Sequence, residues 1–92
     1  EVELPTKISL LDVYPNPFNP AATIQFELPE DMDISIDVYN LKGRKISSLI
    51  NKQMHAGYHD VVWDASNYAA GIYFIKMTAQ NYIGTQKILL VK

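Results

Sequence analysis

Three prolines fall within six residues in the stretch Tyr14-Pro15-Asn16-Pro17-Phe18-Asn19-Pro20. Each fixes its own φ, lacks an amide donor and drives the residue before it towards extended backbone, so neither a helix nor a central strand can run through them. Asn16 and Asn19 are therefore extended or turn residues, and their side chains can close turns onto nearby backbone. The stretch reads as a rigid corner that sets the geometry between two short apolar runs.

On either side of the corner the dominant period is two. Ile8 to Val13 alternates but slips phase between Leu10 and Leu11, which predicts a bulge or a change of partner. Thr23 to Leu28 turns Ile24, Phe26 and Leu28 one way and Thr23, Gln25 and Glu27 the other, and Pro29 to Met32 breaks the run. Asp33 to Tyr39 points Ile34, Ile36 and Val38 inward. Asn40-Leu41-Lys42-Gly43 then suits a type I turn closed by a left-handed glycine, so Arg44 to Ile50 pairs back as a hairpin. Ile46 and Leu49 are out of phase, the mark of a second bulge. Asn51 to Gly57 reads as a longer connection. Tyr58 to Asp64 is a fifth strand with His59, Val61 and Trp63 on one side, and Trp63 is its core anchor. Asp64 to Gly71 is turn-rich. Ile72 to Ala79 is apolar on both faces at first, as expected of a central strand, and Gln80 to Tyr82 reverses the chain into a final strand, Ile83 to Lys92. Seven short strands without a helical period predict an all-β, seven-stranded antiparallel immunoglobulin-like β-sandwich over residues 8–92, with residues 1–7 as the end of a linker.

Ninety-two residues, 48% of them hydrophobic, suffice for one core but leave little material for a deep catalytic cleft. The net charge of −2 lacks the clustered Lys and Arg of a nucleic-acid footprint. Residues 1–46 nevertheless carry eight acids against four bases, and residues 47–92 carry two against four. There is no cysteine, which removes disulfides, thiolate metal sites and a cysteine nucleophile together. No apolar run approaches the roughly 20 residues that span a bilayer, so membrane insertion is not expected. No basic-then-apolar leader opens the chain, so an exported protein would need its first address elsewhere in a longer polypeptide.

Catalytic and metal-binding patterns are sparse. His55 and His59 stand four apart, a ligand spacing only on a helix, and Gly57 between them opposes one. A histidine hydrogen-bonded within the core is the expected role of His59. Glu30, Asp31 and Asp33 lack the spacing of a dedicated calcium loop. No phosphate loop, nucleophile elbow or Ser, His, Asp set occurs, and the reading is a non-enzyme without cofactor or metal.

A resemblance is carried by Tyr14 to Pro20 with Thr23 to Pro29, by Val38-Tyr39-Asn40-Leu41-Lys42-Gly43-Arg44-Lys45-Ile46, by Ala56-Gly57-Tyr58-His59 with Trp63-Asp64, and by Gly71-Ile72-Tyr73. In this order they resemble the type A C-terminal sorting domain of the type IX secretion system, and Lys87-Ile88-Leu89-Leu90-Val91-Lys92 is similar to that family's ending. The family is related in turn to the immunoglobulin-like domain of flagellar hook-capping proteins. The resemblance makes Tyr14, Pro15, Asn16, Pro17, Asn19, Pro20, Gly43, Arg44, Gly57, Trp63, Asp64, Gly71 and Tyr73 the structural motif. It implies a larger cargo that crosses the inner membrane, is read in the periplasm by the outer-membrane translocon and its shuttle proteins, and ends at the cell surface or outside. It also implies a sortase-like cysteine protease cutting at or before Glu1 to Lys7, a step that allows transfer of the cargo to surface lipopolysaccharide. By carry-over, Lys87, Ile88, Leu89, Leu90, Val91 and Lys92 form the recognition element. A sheet edge there offers unpaired backbone groups for strand addition. Asp64-Ala65-Ser66 departs from the family, which often has glycine after Trp-Asp.

Two other classes compete: a structural or adhesive module retained on the mature protein, and a carbohydrate binder using Tyr39, Tyr58 and Tyr68, which fall on expected outward positions or loops.

Overall fold

The alternating runs become seven strands in the computed structural model, which describes residues 4–92. They are β1 (Ser9–Tyr14), β2 (Ala21–Leu28), β3 (Met32–Asn40), β4 (Lys45–Met54), β5 (Gly57–Asp64), β6 (Gly71–Ala79) and β7 (Tyr82–Leu90). One sheet has the order β1-β2-β5 and the other β4-β3-β6-β7, with every pairing antiparallel. β4 lies beside β3, so three strands face four in an immunoglobulin-like sandwich. The inward residues of the alternation fill the space between the sheets: Ile24, Phe26 and Leu28 meet Ile36, Val38, Ile75 and Met77, all fully buried. β6 is interior to its sheet, which accounts for the apolar residues on both of its faces.

Both expected bulges are present. Between Leu10 and Val13 the register of β1 on β2 shifts by one, leaving Leu11 and Asp12 opposite Gln25. β4 has two shifts, because Leu49 and Ile46 are each skipped in the pairing with β3. An edge strand interrupted twice is a poor template for another chain.

Two boundaries differ from the sequence reading. Met32 does not break the chain but opens β3, buried and paired with Met54. Asn51 to Gly57 is not a long connection, because β4 continues to Met54 and β5 begins at Gly57. Asn51, Lys52 and Gln53 are polar because β4 is an edge and these residues face water. Only His55 and Ala56 join the two sheets there. The Asp31 carboxylate fixes them, accepting from the Ala56 amide at 2.8 Å and meeting His55 Nδ1 at 3.3 Å. Of the expected linker, Glu1 to Glu3 lie outside the described residues, and Leu4 to Lys7 belong to no strand, with Pro5 buried.

Candidate recognition site

Strand direction alone decides which segments meet. β1 and β5 end, and β2 begins, at the same end of the sandwich where β3 and β7 end and β4 and β6 begin. The proline corner, the Asn40–Arg44 turn, the Asp64–Gly71 loop and the chain's last residues therefore share one end. Of the residues expected to carry the motif, Gly57 alone starts a strand at the opposite end, where β1 also begins.

The corner is fastened to the terminal strand. Phe18 donates its amide to Leu89 O at 2.9 Å and accepts from Val91 N at 2.9 Å, forming a parallel bridge to Leu90. The Asn16 side chain extends the pairing, with Nδ2 donating to Lys87 O at 3.1 Å and Oδ1 accepting from Leu89 N at 3.0 Å. The corner thus does more than set the geometry between β1 and β2. It occupies the outer edge of β7 over the stretch expected to accept strand addition, so an incoming strand along Lys87 to Val91 must displace it.

Beneath the corner lies an aromatic cluster. Phe18, 1% exposed, packs on Trp63 at 5.6 Å between ring centroids, and Trp63 packs on Tyr68 and Tyr73 at 5.4 and 5.3 Å. Tyr68 donates its hydroxyl to Ile46 O at 3.2 Å, and Tyr73 donates its own to Ala69 O. Tyr68 is therefore committed to the core, which corrects its assignment as a surface aromatic. Tyr39 sits beneath Lys76, whose Nζ is 5.7 Å from the ring centroid, and Tyr58 stays open at 62% exposure.

The departure at Asp64-Ala65-Ser66 leaves the turn intact. Asp64 Oδ1 accepts from the Ser66 hydroxyl and from its amide at 3.0 Å, and these two donors, the hydroxyl first, hold the Asp64 carboxyl below the usual range. Ala65 is fully buried and donates to Pro20 O at 2.9 Å, tying this loop to the corner. Lys92 Nζ reaches Ser66 O at 3.2 Å.

On the far side of the same end, the Asn40–Arg44 turn follows its expected form. Gly43 N donates to Asn40 O at 3.0 Å, with Gly43 at φ 81°, a region costly for any residue bearing a Cβ. Asn40 Oδ1 accepts from both Lys42 N and Arg44 N at 3.0 Å. Gly71 faces this turn at φ 149° and pairs with Leu90.

The recognition residues expected in the last strand divide into two sets. Ile88 and Leu90 point inward and are 1% exposed, because period two places them with the core. Lys87, Leu89, Val91 and Lys92 face solvent. At the opposite end His59 stacks on Phe26 at 5.2 Å and its Nε2 donates to His55 O at 2.7 Å, close to its expected role.

Local pattern concealed several contributors. Phe18 is the one apolar residue between the prolines, and that singularity was its signal. Tyr82, Gly84 and Gln86 close the seam between β7 and β1. Leu10 N donates to the Tyr82 hydroxyl at 2.8 Å, and Gln86 Nε2 donates to Leu11 O at 3.0 Å. Gly84 leaves room for the Tyr82 ring, which a methyl group there would overlap.

Fold and site together define a small antiparallel β-sandwich domain with most of its unusual segments gathered at one end. A family model described as the secretion system C-terminal sorting domain matches residues 12–92. The chain belongs to this family, the C-terminal sorting domains of the type IX secretion system. No curated protein and no solved structure matches it. Membership makes the domain a sorting signal that engages the secretion machinery on behalf of a secreted or cell-surface protein, in a family of signals rather than of enzymes.

Proposed function

We propose that residues 8–92 act as a folded address at the end of a larger cargo, read from the end of the sandwich that holds the corner and the chain's last residues. The observation that carries this reading is the placement of the proline corner, the Asn40–Arg44 turn, the Asp64–Gly71 loop and the chain's last residues, all the motif segments but that of Gly57, at the end opposite the start of β1, so that an upstream protein joined through residues 1–7 lies away from them. The cargo crosses the inner membrane first and meets the outer-membrane translocon and its shuttle proteins in the periplasm. Contact is made by the outward side chains Lys87, Leu89, Val91 and Lys92. Leu89 and Val91 are 38% and 40% exposed between two lysines, an apolar pair with a cationic rim. Side-chain reading suits this strand better than strand addition, since Asn16 and Phe18 already occupy its backbone groups. A sortase-like cysteine protease then cuts within or before residues 1–7.

A reporter fused ahead of the domain, in a host that has the system, tests this. Leu89→Ser with Val91→Ser is expected to leave the thermal transition nearly unchanged and to abolish export. Normal export of that folded variant would refute reading through this strand. Deleting residues 88–92 would not serve, because it removes core residues as well. Mass spectrometry of the exported reporter's C-terminus decides the cleavage step, and a retained intact domain would refute it.

A further inference from the structure

Leu41 is the most exposed large apolar side chain among the described residues, at 67%. Its position is nevertheless tightly determined. Four hydrogen bonds lock the turn that carries it: Asn40 N to Arg44 O, Gly43 N to Asn40 O, and the amides of Lys42 and Arg44 to Asn40 Oδ1. Among the described residues, neither the Lys42 nor the Arg44 side chain makes a hydrogen bond or ion pair, so the apex is built rigidly for no internal contact. An exposed aliphatic group in a pre-ordered turn loses little freedom on binding, which is how an interface anchor gains affinity.

The ground around Leu41 is concave and basic. A concavity opens on each side of the turn, one completed by Ala70 to Tyr73 and the other by Tyr39, Phe74, Lys76 and Thr85. Lys42, Arg44 and Lys76 are their charged lining residues, and no acid lines either one. The strand register places Lys45, Tyr39, Phe74 and Lys87 in one row across the outer face of the four-stranded sheet. The nearest acid on that face, Asp37, is already held by Lys45 at 3.6 Å. In a chain with a net charge of −2, five of eight cations gather here.

We infer that this turn and the adjoining sheet face form a second docking surface, which receives an acidic protein partner with an apolar socket for Leu41. The aliphatic apex selects a polypeptide over a polysaccharide or a lipid headgroup, because a packed socket needs side chains. The cationic surround selects carboxylates and steers their approach. The inference rests on the sorting function above and gives the secretion machinery a second point of contact, centred on the turn between β3 and β4 and sharing only Lys87 with the stretch from Lys87 to Lys92.

The reporter fusion provides the test, with Leu41→Ser, Lys42→Glu/Arg44→Glu and Lys42→Gln/Arg44→Gln as variants and Lys52→Glu at the opposite end as control. All should keep the wild-type thermal transition. Export is expected to fall on the order of tenfold for Leu41→Ser and for the double Glu variant, less for the double Gln variant, and not for Lys52→Glu. Wild-type export by Leu41→Ser overturns the socket, and wild-type export by the double Glu variant overturns the acidic partner. An equal loss with Lys52→Glu overturns the acidic partner by making the effect of the double Glu variant one of net charge. A wild-type fusion that stays inside the cell overturns the sorting reading instead.

Discussion

The side-chain amide of Asn16 stands in for a strand beside Leu89, accepting the Leu89 amide at Oδ1 while its Nδ2 donates to the carbonyl of Lys87. One side chain thereby supplies the donor and acceptor that a peptide unit of a neighbouring strand would supply, and the edge of β7 is closed without an eighth strand. Asn16→Ala is expected to cost about 1–2 kcal/mol, the net worth of two partly exposed hydrogen bonds. Asn19→Ala, with no such partners among the described residues, stays within about 0.5 kcal/mol. Urea denaturation measures both, and hydrogen exchange at Leu89 should accelerate in the first variant only.

The cluster of Phe18, Trp63, Tyr68 and Tyr73 joins the corner to both sheets. Phe18→Ala is expected to lower stability by about 3–5 kcal/mol, a large share of what a domain of this size has. Tyr68→Phe removes only the hydrogen bond to Ile46 O and is expected to cost about 1 kcal/mol. Equal losses in denaturation would show that the ring of Phe18 is not part of the core.

Tyr82 and Gly84 form one device, since the ring of the first lies over the second and delivers its hydroxyl to Leu10 N. Gly84→Ala is expected to cost about 1–3 kcal/mol by pushing the ring aside. Tyr82→Phe is expected to cost about 1 kcal/mol. In the double variant the two losses should fall short of additive, because Gly84→Ala already breaks the bond that Tyr82→Phe removes. Strict additivity in a double-mutant cycle would separate them.

The connection between β4 and β5 carries a weak acid dependence. The Ala56 amide, and after it the hydrogen bond from His55, hold the Asp31 carboxyl below its usual range. Folding therefore favours the ionised form. Its contribution is present above the unfolded value near about 4 and fades as pH falls through the lower folded value. Asp31→Asn should narrow its stability gap from wild type as pH drops from about 5 to about 2. The gap is small because the pair is exposed. A gap of constant size across that window would remove Asp31 from the acid response.

Much of the fold is legible because burial writes a local code. Ile34, Ile36 and Val38 announce their strand by period two, and the slips at Leu10 and Leu11, and at Ile46 and Leu49, announce bulges one residue at a time. What stays hidden is non-local or depends on an edge. Nothing near Asn16 in the chain reveals that its partners are Lys87 and Leu89, and nothing in Asn51-Lys52-Gln53 separates an exposed edge strand from a loop. Tyr68 sits among Ser66, Asn67 and Gly71, whose polarity disguises a residue held by two aromatic neighbours. The motif residues of the site could be picked out in the sequence, but their common location follows only from strand direction. The division of the last strand into inward Ile88 and Leu90 and outward Lys87, Leu89, Val91 and Lys92 was implicit in its alternation.

Because β1 starts at one end of the sandwich and the corner, the Leu41 turn and Lys92 lie at the other, these two ends are separated by roughly the 20–25 Å of a strand of six to eight residues. On the function proposed above, that separation would make the module portable: cargo proteins of unrelated shape could share it, and the joining segment could lengthen, shorten or be cut while the far end of the sandwich keeps its form.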